Sequence, residues 1–264
     1  MYEAYWGLKE KPFQNTPDPR FLYHSPQHEE ALVRMNYAIQ EKVGAALLTG
    51  TFGCGKTVLA YFLLKTLVEE KYKVAYIGNP RLDEVDLLRM IVHSLGSSNP
   101  PSKKMDVLAL LEEILMTHLR NGKQTIVIID EAHAIGSESV FEEIRLLLNF
   151  QRDDTFLLTL FLLGQPELKE KVEKNAPLEQ RIEIKCHLDA FGLEDSMRYI
   201  QHRLEVAGVS RPLFNDEALR LIHSYSGGIP RRMNRLCNMS LLAGFSQKVN
   251  QIDQTIIQKE ITEL

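Results

Sequence analysis

Apolar residues gather along this chain in short runs of strand length, and between those runs they recur at helical spacing. The strand-like runs fall at residues 45–49, 73–78, 125–129, 156–163 and 182–188. Helical periodicity covers 27–41, 56–70, 83–95, 106–121 and 139–151. A run such as "TIVIID", apolar at successive positions, is buried on both faces, as in a parallel sheet covered by helices. The pattern therefore predicts an α/β domain over residues 1–190, entered through a polar, proline-containing N-terminal extension.

Beyond Ala190 the strand signal stops and only helical periods remain. "EDSMRYIQHRLEVAG" closes on Gly208 as a helix stop. Asn215 is placed to cap "FNDEALRLIHSYSGG", with Phe214 and Leu219 spaced as a hydrophobic staple. Pro230 can open the next helix, and Asp253 can cap the last, with Ile252 and Ile257 again at staple spacing. A small all-helical domain is expected over 191–264. No internal repeat is present, and "GSSNPPSKK" at 96–104 reads as a solvated loop.

One interruption of the apolar pattern carries chemistry. "GTFGCGKT", residues 50–57, fits G-x-x-x-x-G-K-[ST] between a buried strand and a helix, the setting that motif requires. A loop that wraps a polyphosphate must turn its N–H groups inward and let the oxygens approach closely, which accounts for Gly50, Gly53 and Gly55. Lys56 would reach the β- and γ-phosphates of ATP, the Thr57 hydroxyl would ligate Mg²⁺, and the following helix adds its positive dipole end. Thr51, Phe52, Cys54 and Val58 complete the nucleotide-binding stretch. Cys54 reads as filler within it rather than a redox gate.

The second chemical stretch is "TIVIIDEAH", residues 125–133, a strand ending in two adjacent carboxylates. Asp130 at the tip is placed to hold Mg²⁺, and Glu131 to polarise the attacking water. His133 has no histidine partner at ligand spacing and is read as a supporting or surface residue. "DEAH" also occurs in helicases, whose remaining motifs are not found.

Three further polar residues stand where a hydrolysis machine needs them. Gln165, just past an apolar strand, either orients water or is a plain strand-end residue. Arg181, before the last strand, either projects into a neighbouring subunit's nucleotide or forms a surface ion pair. Arg231, in the first turn of the helix opened by Pro230, could swing onto the γ-phosphate as the helical domain closes. With Arg232 and Arg235 it also forms a basic cluster that nucleic acid would fit.

Composition narrows the setting without choosing a partner. The 264 residues are 44% hydrophobic and 25% charged, ordinary for a folded globular protein, and the formal net charge of -4 gives no global field for nucleic acid or anionic lipid. Three scattered cysteines without CxxC spacing are simplest in a reducing cytoplasm. The N-terminus lacks a signal-peptide core, and the longest apolar run is far short of the ~20 residues a spanning helix needs.

Together the phosphate loop, "IVIIDE", the strand-end glutamine, the arginine before the fifth strand and "GIPRR" resemble the AAA+ ATPases. "YWGLKEKPFQNTPDPRFLYHSPQHEEAL", "LLGQPEL", "LEQRI", "YIQHRLEVAG" and "GIPRRMNRLCN" resemble more closely the ExeA/GspA group, general secretion pathway protein A, and its MshM-like pilus-biogenesis relatives. The resemblance implies a P-loop AAA+ fold, a five-stranded parallel sheet flanked by helices with a helical lid. It makes Lys56, Thr57, Asp130 and Glu131 the Walker residues, Gln165 the sensor 1 position, Arg181 the arginine-finger position and Arg231 the sensor 2 position.

The function it implies is a Mg²⁺-dependent ATPase that forms a ring or helical homo-oligomer, a hexamer, and supports assembly of a type II secretion or type IV pilus apparatus. Longer members continue through a membrane span into a periplasmic peptidoglycan-binding region, whereas this chain stops at Leu264. A cytoplasmic ATPase, peripheral at the inner membrane and acting through a membrane-protein partner, is therefore the expectation. The alternative is a DNA-binding regulator of transposition of the TniB, TnsC and MuB kind, for which the Arg231, Arg232, Arg235 cluster gives a foothold.

Overall fold

The computed structural model of the chain describes residues 1–263; Leu264, at the end of the expected helical domain, lies outside the described residues. Strands β1 (Ala45–Gly50), β2 (Tyr72–Ile77), β3 (Gln124–Ile129), β4 (Leu158–Gly164) and β5 (Ile182–Leu188) form one parallel sheet in the order β2-β3-β4-β1-β5. Every residue of β1 and β4 is buried, which is why those segments read as unbroken apolar runs. The edge strand β5 instead exposes Glu183, Lys185 and His187, charged and polar side chains that discourage further pairing.

After a single helical turn at Glu3–Trp6, the helices in chain order are α1 (Pro26–Gln40), α2 (Lys56–Thr66), α3 (Glu84–Ser94), α4 (Lys104–Arg120), α5 (Glu138–Leu147), α6 (Glu167–Lys174), α7 (Ala176–Glu179), α8 (Leu193–Val206), α9 (Asp216–Ser226), α10 (Pro230–Gln247) and α11 (Gln254–Glu263). Their starts follow capping chemistry. The carboxylate of Asp83 accepts the Asp86 N–H ahead of α3, and the Asn215 side chain accepts the Ala218 N–H at 2.9 Å ahead of α9. Asp253 accepts the N–H groups of Thr255 and Ile256 at the start of α11, as its spacing predicted.

The chain falls into two compact units, each discontinuous in sequence. The sheet unit comprises Glu29–Gly50 and Leu63–Leu188. Its core joins Ile77, Val127, Ile129, Leu160 and Leu162 of the sheet to Leu88 and Ile91 of α3, Leu111 of α4 and Ile144 of α5, all fully buried. Each such side chain contributes about 1.5–3 kcal/mol on burial.

The second unit collects Met1–His28, Thr51–Phe62 and the chain from Asp189 on. The N-terminal extension is therefore grouped with the C-terminal helices rather than with the sheet. Trp6 is buried there and donates its indole N–H to the Leu241 carbonyl at 2.9 Å. The buried guanidinium of Arg203 on α8 donates to the Pro12 and Gln14 carbonyls and lies 4.6 Å from the Phe21 ring centre.

Two expected elements end early. The helix expected over 56–70 stops at Thr66, whose hydroxyl donates to the Leu63 carbonyl, a local bond that competes with helix continuation. The helix expected over 139–151 stops at Leu147 because Gln151–Arg152 pair with Thr155–Phe156 in a hairpin. Its turn residues, Asp153 and Asp154, both take positive φ, which aspartate tolerates better than most residues. Phe156 thus belongs to the hairpin, and the sheet strand begins at Leu158.

Candidate functional site

The phosphate loop runs from the end of β1 at Gly50 to the start of α2 at Lys56. Its glycines serve different needs. Gly53 and Gly55 take φ of 88° and 101°, in the left-handed region that side-chain-bearing residues avoid. Gly50 does not; a Cβ there would lie 2.6 Å from the Leu188 carbonyl oxygen on β5, so its role is close packing in the sheet. Lys56 is buried, and its ammonium donates to the Thr51 carbonyl at 3.2 Å. Thr57 and Val58, the first residues after it, are half-buried.

Arg231 meets this loop within the same unit. Its N–H donates to the Gly53 carbonyl at 3.3 Å, and its guanidinium lies 4.6 Å from the centre of the exposed Phe52 ring. Arg232 and Arg235 are likewise exposed. Cys54 is buried; that burial pushes its thiol pKa up against the opposing pull of the Lys56 charge, so the thiol stays protonated at neutral pH.

His28, in the first turn of α1, supports the phosphate loop and was missed by motif reading. Its Nε2 lies 3.1 Å from the Cys54 carbonyl oxygen and its Nδ1 2.7 Å from the Ser25 hydroxyl. One tautomer serves both: Nε2–H donates to the loop carbonyl while Nδ1 accepts from Ser25. The only sequence signal was its place in the N-terminal stretch that carries the family resemblance.

In the sheet unit, β3, β4 and β1 are neighbours, with Ile129 opposite Leu162 and Thr49 opposite Gly164. Their carboxyl ends share one edge, so Asp130 and Gln165 follow directly from adjacent strands. That edge, beside the strand where the order reverses, is where open α/β sheets bind ligands. Asp130 is buried; one carboxylate oxygen accepts the Tyr76 hydroxyl at 2.7 Å and the other accepts the Glu131 N–H at 2.8 Å. Tyr76, on β2, carried no signal in the sequence beyond an aromatic residue in a strand.

Glu131 takes φ 53° and ψ 30°, a left-handed conformation that costs a residue with a side chain about 1–2 kcal/mol. Its carboxylate lies 3.4 Å from Nε2 of His133, and the same ring nitrogen is 2.9 Å from the Gln165 side-chain amide. Lys171 donates to the His133 and Ile135 carbonyls at 2.6 and 2.7 Å, holding the turn beneath them. Arg181 donates to the Asn149 side chain at 2.8 Å.

No group of three or more His, Cys, Asp or Glu with metal-binding geometry occurs among the described residues. One oriented carboxylate suits a Mg²⁺ that keeps waters and phosphate oxygens as most of its ligands, rather than an all-protein cage. No helix among the described residues is long and apolar enough to cross a membrane.

Comparison with known proteins agrees with this architecture. The family model described as AAA domain matches residues 39–172. General secretion pathway protein A of Aeromonas hydrophila is 38% identical over 255 residues, 96% of this chain but 46% of that protein. The chain thus spans less than half the length of that curated relative. Among solved structures, Cdc6p from Pyrobaculum aerophilum superposes with a TM-score of 0.77 at 17% identity, covering 96% of this chain and 70% of that one. The Aeropyrum pernix ORC2 protein, in ADPNP-ADP complexes, gives 0.69 at 19% identity, over 97% and 72%. At those identities the two structures show the fold alone. The resemblance to general secretion pathway protein A read from the N-terminal and "GQPEL" stretches holds over nearly the whole chain, and with its phosphate loop this chain belongs to the AAA domain family.

Proposed function

We propose that the protein is a Mg²⁺-dependent AAA+ ATPase that oligomerises with nucleotide and supports assembly of a type II secretion or type IV pilus apparatus. The observation that carries the reading is the positive-φ phosphate loop feeding Lys56, in a chain 38% identical to general secretion pathway protein A. Lys56 neutralises the β- and γ-phosphates, while Thr57 and Asp130 hold the metal, which supplies charge neutralisation to the phosphates when bound. Tyr76 and the Glu131 N–H fix the Asp130 carboxylate in its metal-facing role. Glu131 activates the attacking water, Gln165 orients it, Arg181 leaves Asn149 to serve a neighbouring subunit's nucleotide, and Arg231 couples lid closure to the γ-phosphate. Residues 1–190 act as the nucleotide-binding domain and 191–264 as the lid. The protein works in the cytoplasm, peripheral at the inner membrane, through a membrane-protein partner.

Replacing Glu131 with Gln tests the core of this reading. Phosphate release should fall by about 10³-fold or more while a fluorescent ATP analogue still binds, and nucleotide-dependent oligomers should persist in size-exclusion chromatography. Turnover at the wild-type rate would remove Glu131 from its role. One observation supports a second reading: Arg231, Arg232 and Arg235 are all exposed on α10. A DNA titration with ATP at two salt concentrations distinguishes it, since an ATP-dependent DNA-binding regulator loses affinity steeply as salt rises.

A further inference from the structure

His133 follows the acid pair, and the function proposed above gives it no part, yet the geometry around its ring is fully determined. Nδ1 lies 3.3 Å from the Gln165 backbone nitrogen, which carries a hydrogen to donate. Nδ1 is therefore the unprotonated ring nitrogen, and the neutral imidazole bears its hydrogen on Nε2. That nitrogen lies 2.9 Å from the Gln165 side-chain amide, its hydrogen-bond partner, and 3.4 Å from the Glu131 carboxylate.

An amide NH₂ opposite a ring N–H would set two donors against each other. The two ends of a carboxamide have the same shape, and only the orientation with Oε1 toward the ring makes a bond. With Oε1 engaged by His133, the NH₂ of Gln165 is turned away from the ring, ready to donate to an oxygen at the strand edge. The carboxylate of Glu131 lies beside the same ring nitrogen, 3.4 Å away.

The support beneath this arrangement is rigid. Lys171 fastens the His133 and Ile135 carbonyls from α6. Gly164 leaves no room to shift, since a Cβ there would lie 3.1 Å from the His133 backbone nitrogen and 2.7 Å from Leu168.

We propose that His133 is a positioning residue that joins Glu131 to Gln165, so that the group activating water and the amide orienting it move as one unit. This rests on the reading of Glu131 and Gln165 given under the proposed function. Without the imidazole, each side chain would search its own rotamers, and the water between them would lose its alignment.

The test is steady-state ATP hydrolysis with Mg²⁺ by the full chain and by His133→Ala, His133→Asn, Gln165→Ala and the His133→Ala/Gln165→Ala double variant. Binding of a fluorescent ATP analogue and thermal unfolding are measured alongside. His133→Ala should lower kcat about 10- to 100-fold with the analogue's Kd within about twofold of wild type. The double variant should be no slower than the slower single one, because both remove the same unit. Asn can still accept the Gln165 N–H but cannot reach both side chains, so His133→Asn should keep the wild-type Tm and be as slow as His133→Ala.

Wild-type kcat in His133→Ala, multiplying losses in the double variant, or full activity in His133→Asn would each overturn the proposal. Should His133→Ala fail to fold, the Asn variant alone decides. A Glu131→Gln variant with undiminished turnover would strike the underlying reading of Glu131 instead, whereas an inactive Glu131→Gln beside a fully active His133→Ala would strike only the role given to His133.

Discussion

At the phosphate loop, glycines set the path of the main chain and one lysine supplies charge; past β3, the acidic edge is arranged by side chains from β2 and from the turns that follow β3 and β4. The loop's defining features are φ of 88° and 101° at Gly53 and Gly55. The acidic edge instead depends on a tyrosine hydroxyl bonded to one carboxylate and a histidine ring set between the other carboxylate and a glutamine amide. Backbone architecture of the first kind is fixed before any ligand arrives and tolerates no side chain in its path. A side-chain network of the second kind is tunable, and its members should fail in graded steps.

The largest expected effect separates the two sharply. Lys56→Ala should lower kcat/KM about 10²- to 10³-fold by removing the charge that, on the proposed function, faces the transferred phosphoryl group. Gly53→Ala changes no charge, yet an added Cβ would lie 2.7 Å from the Arg231 Cβ and the residue would be forced from a φ of 88°. It should weaken fluorescent-ATP binding by a comparable factor. Unchanged binding by Gly53→Ala would break the comparison, because the loop would then not depend on the path of its main chain.

A smaller effect is expected on the acidic edge. Tyr76→Phe deletes one hydrogen bond to the buried Asp130 carboxylate and leaves the one from the Glu131 N–H in place. Charge-assisted bonds of this kind are worth about 1.5–3 kcal/mol, so the Mg²⁺ concentration giving half-maximal hydrolysis should rise about ten- to a hundredfold. A loss as complete as that of Lys56→Ala would mean the network is as intolerant as the loop.

The same contrast explains what the sequence made legible. Glycine spacing, a lysine and a threonine lie within eight consecutive residues, so the loop is readable without knowing the fold. The burial of β1 and β4 is likewise written in unbroken apolar runs, and Asn215 and Asp253 cap where they were expected because capping is local. His133 and Gln165 meet across 32 positions, and Tyr76 reaches Asp130 across 54, through strand order that no local pattern specifies. His28 supports Cys54 across 26 positions for the same reason. The hairpin at 151–156 was missed because its turn is Asp-Asp, which lacks the glycine that normally marks such a turn.

The smallest expected effect concerns a contact made by a loop side chain, Phe52, rather than by the loop's main chain. The Arg231 guanidinium lies 4.6 Å from the centre of the Phe52 ring, an attraction worth about 0.5–1 kcal/mol at an exposed position. On the proposed role of Arg231 at the γ-phosphate, that contact competes with nucleotide, because the guanidinium must leave the ring to meet the phosphate. Phe52→Ala should therefore tighten binding of an ATP analogue by about two- to fivefold while leaving ADP binding unchanged, since ADP has no γ-phosphate for Arg231 to reach. Weaker binding of both nucleotides would instead make Phe52 a direct nucleotide contact, and the loop would then use a side chain for recognition much as the acidic edge does.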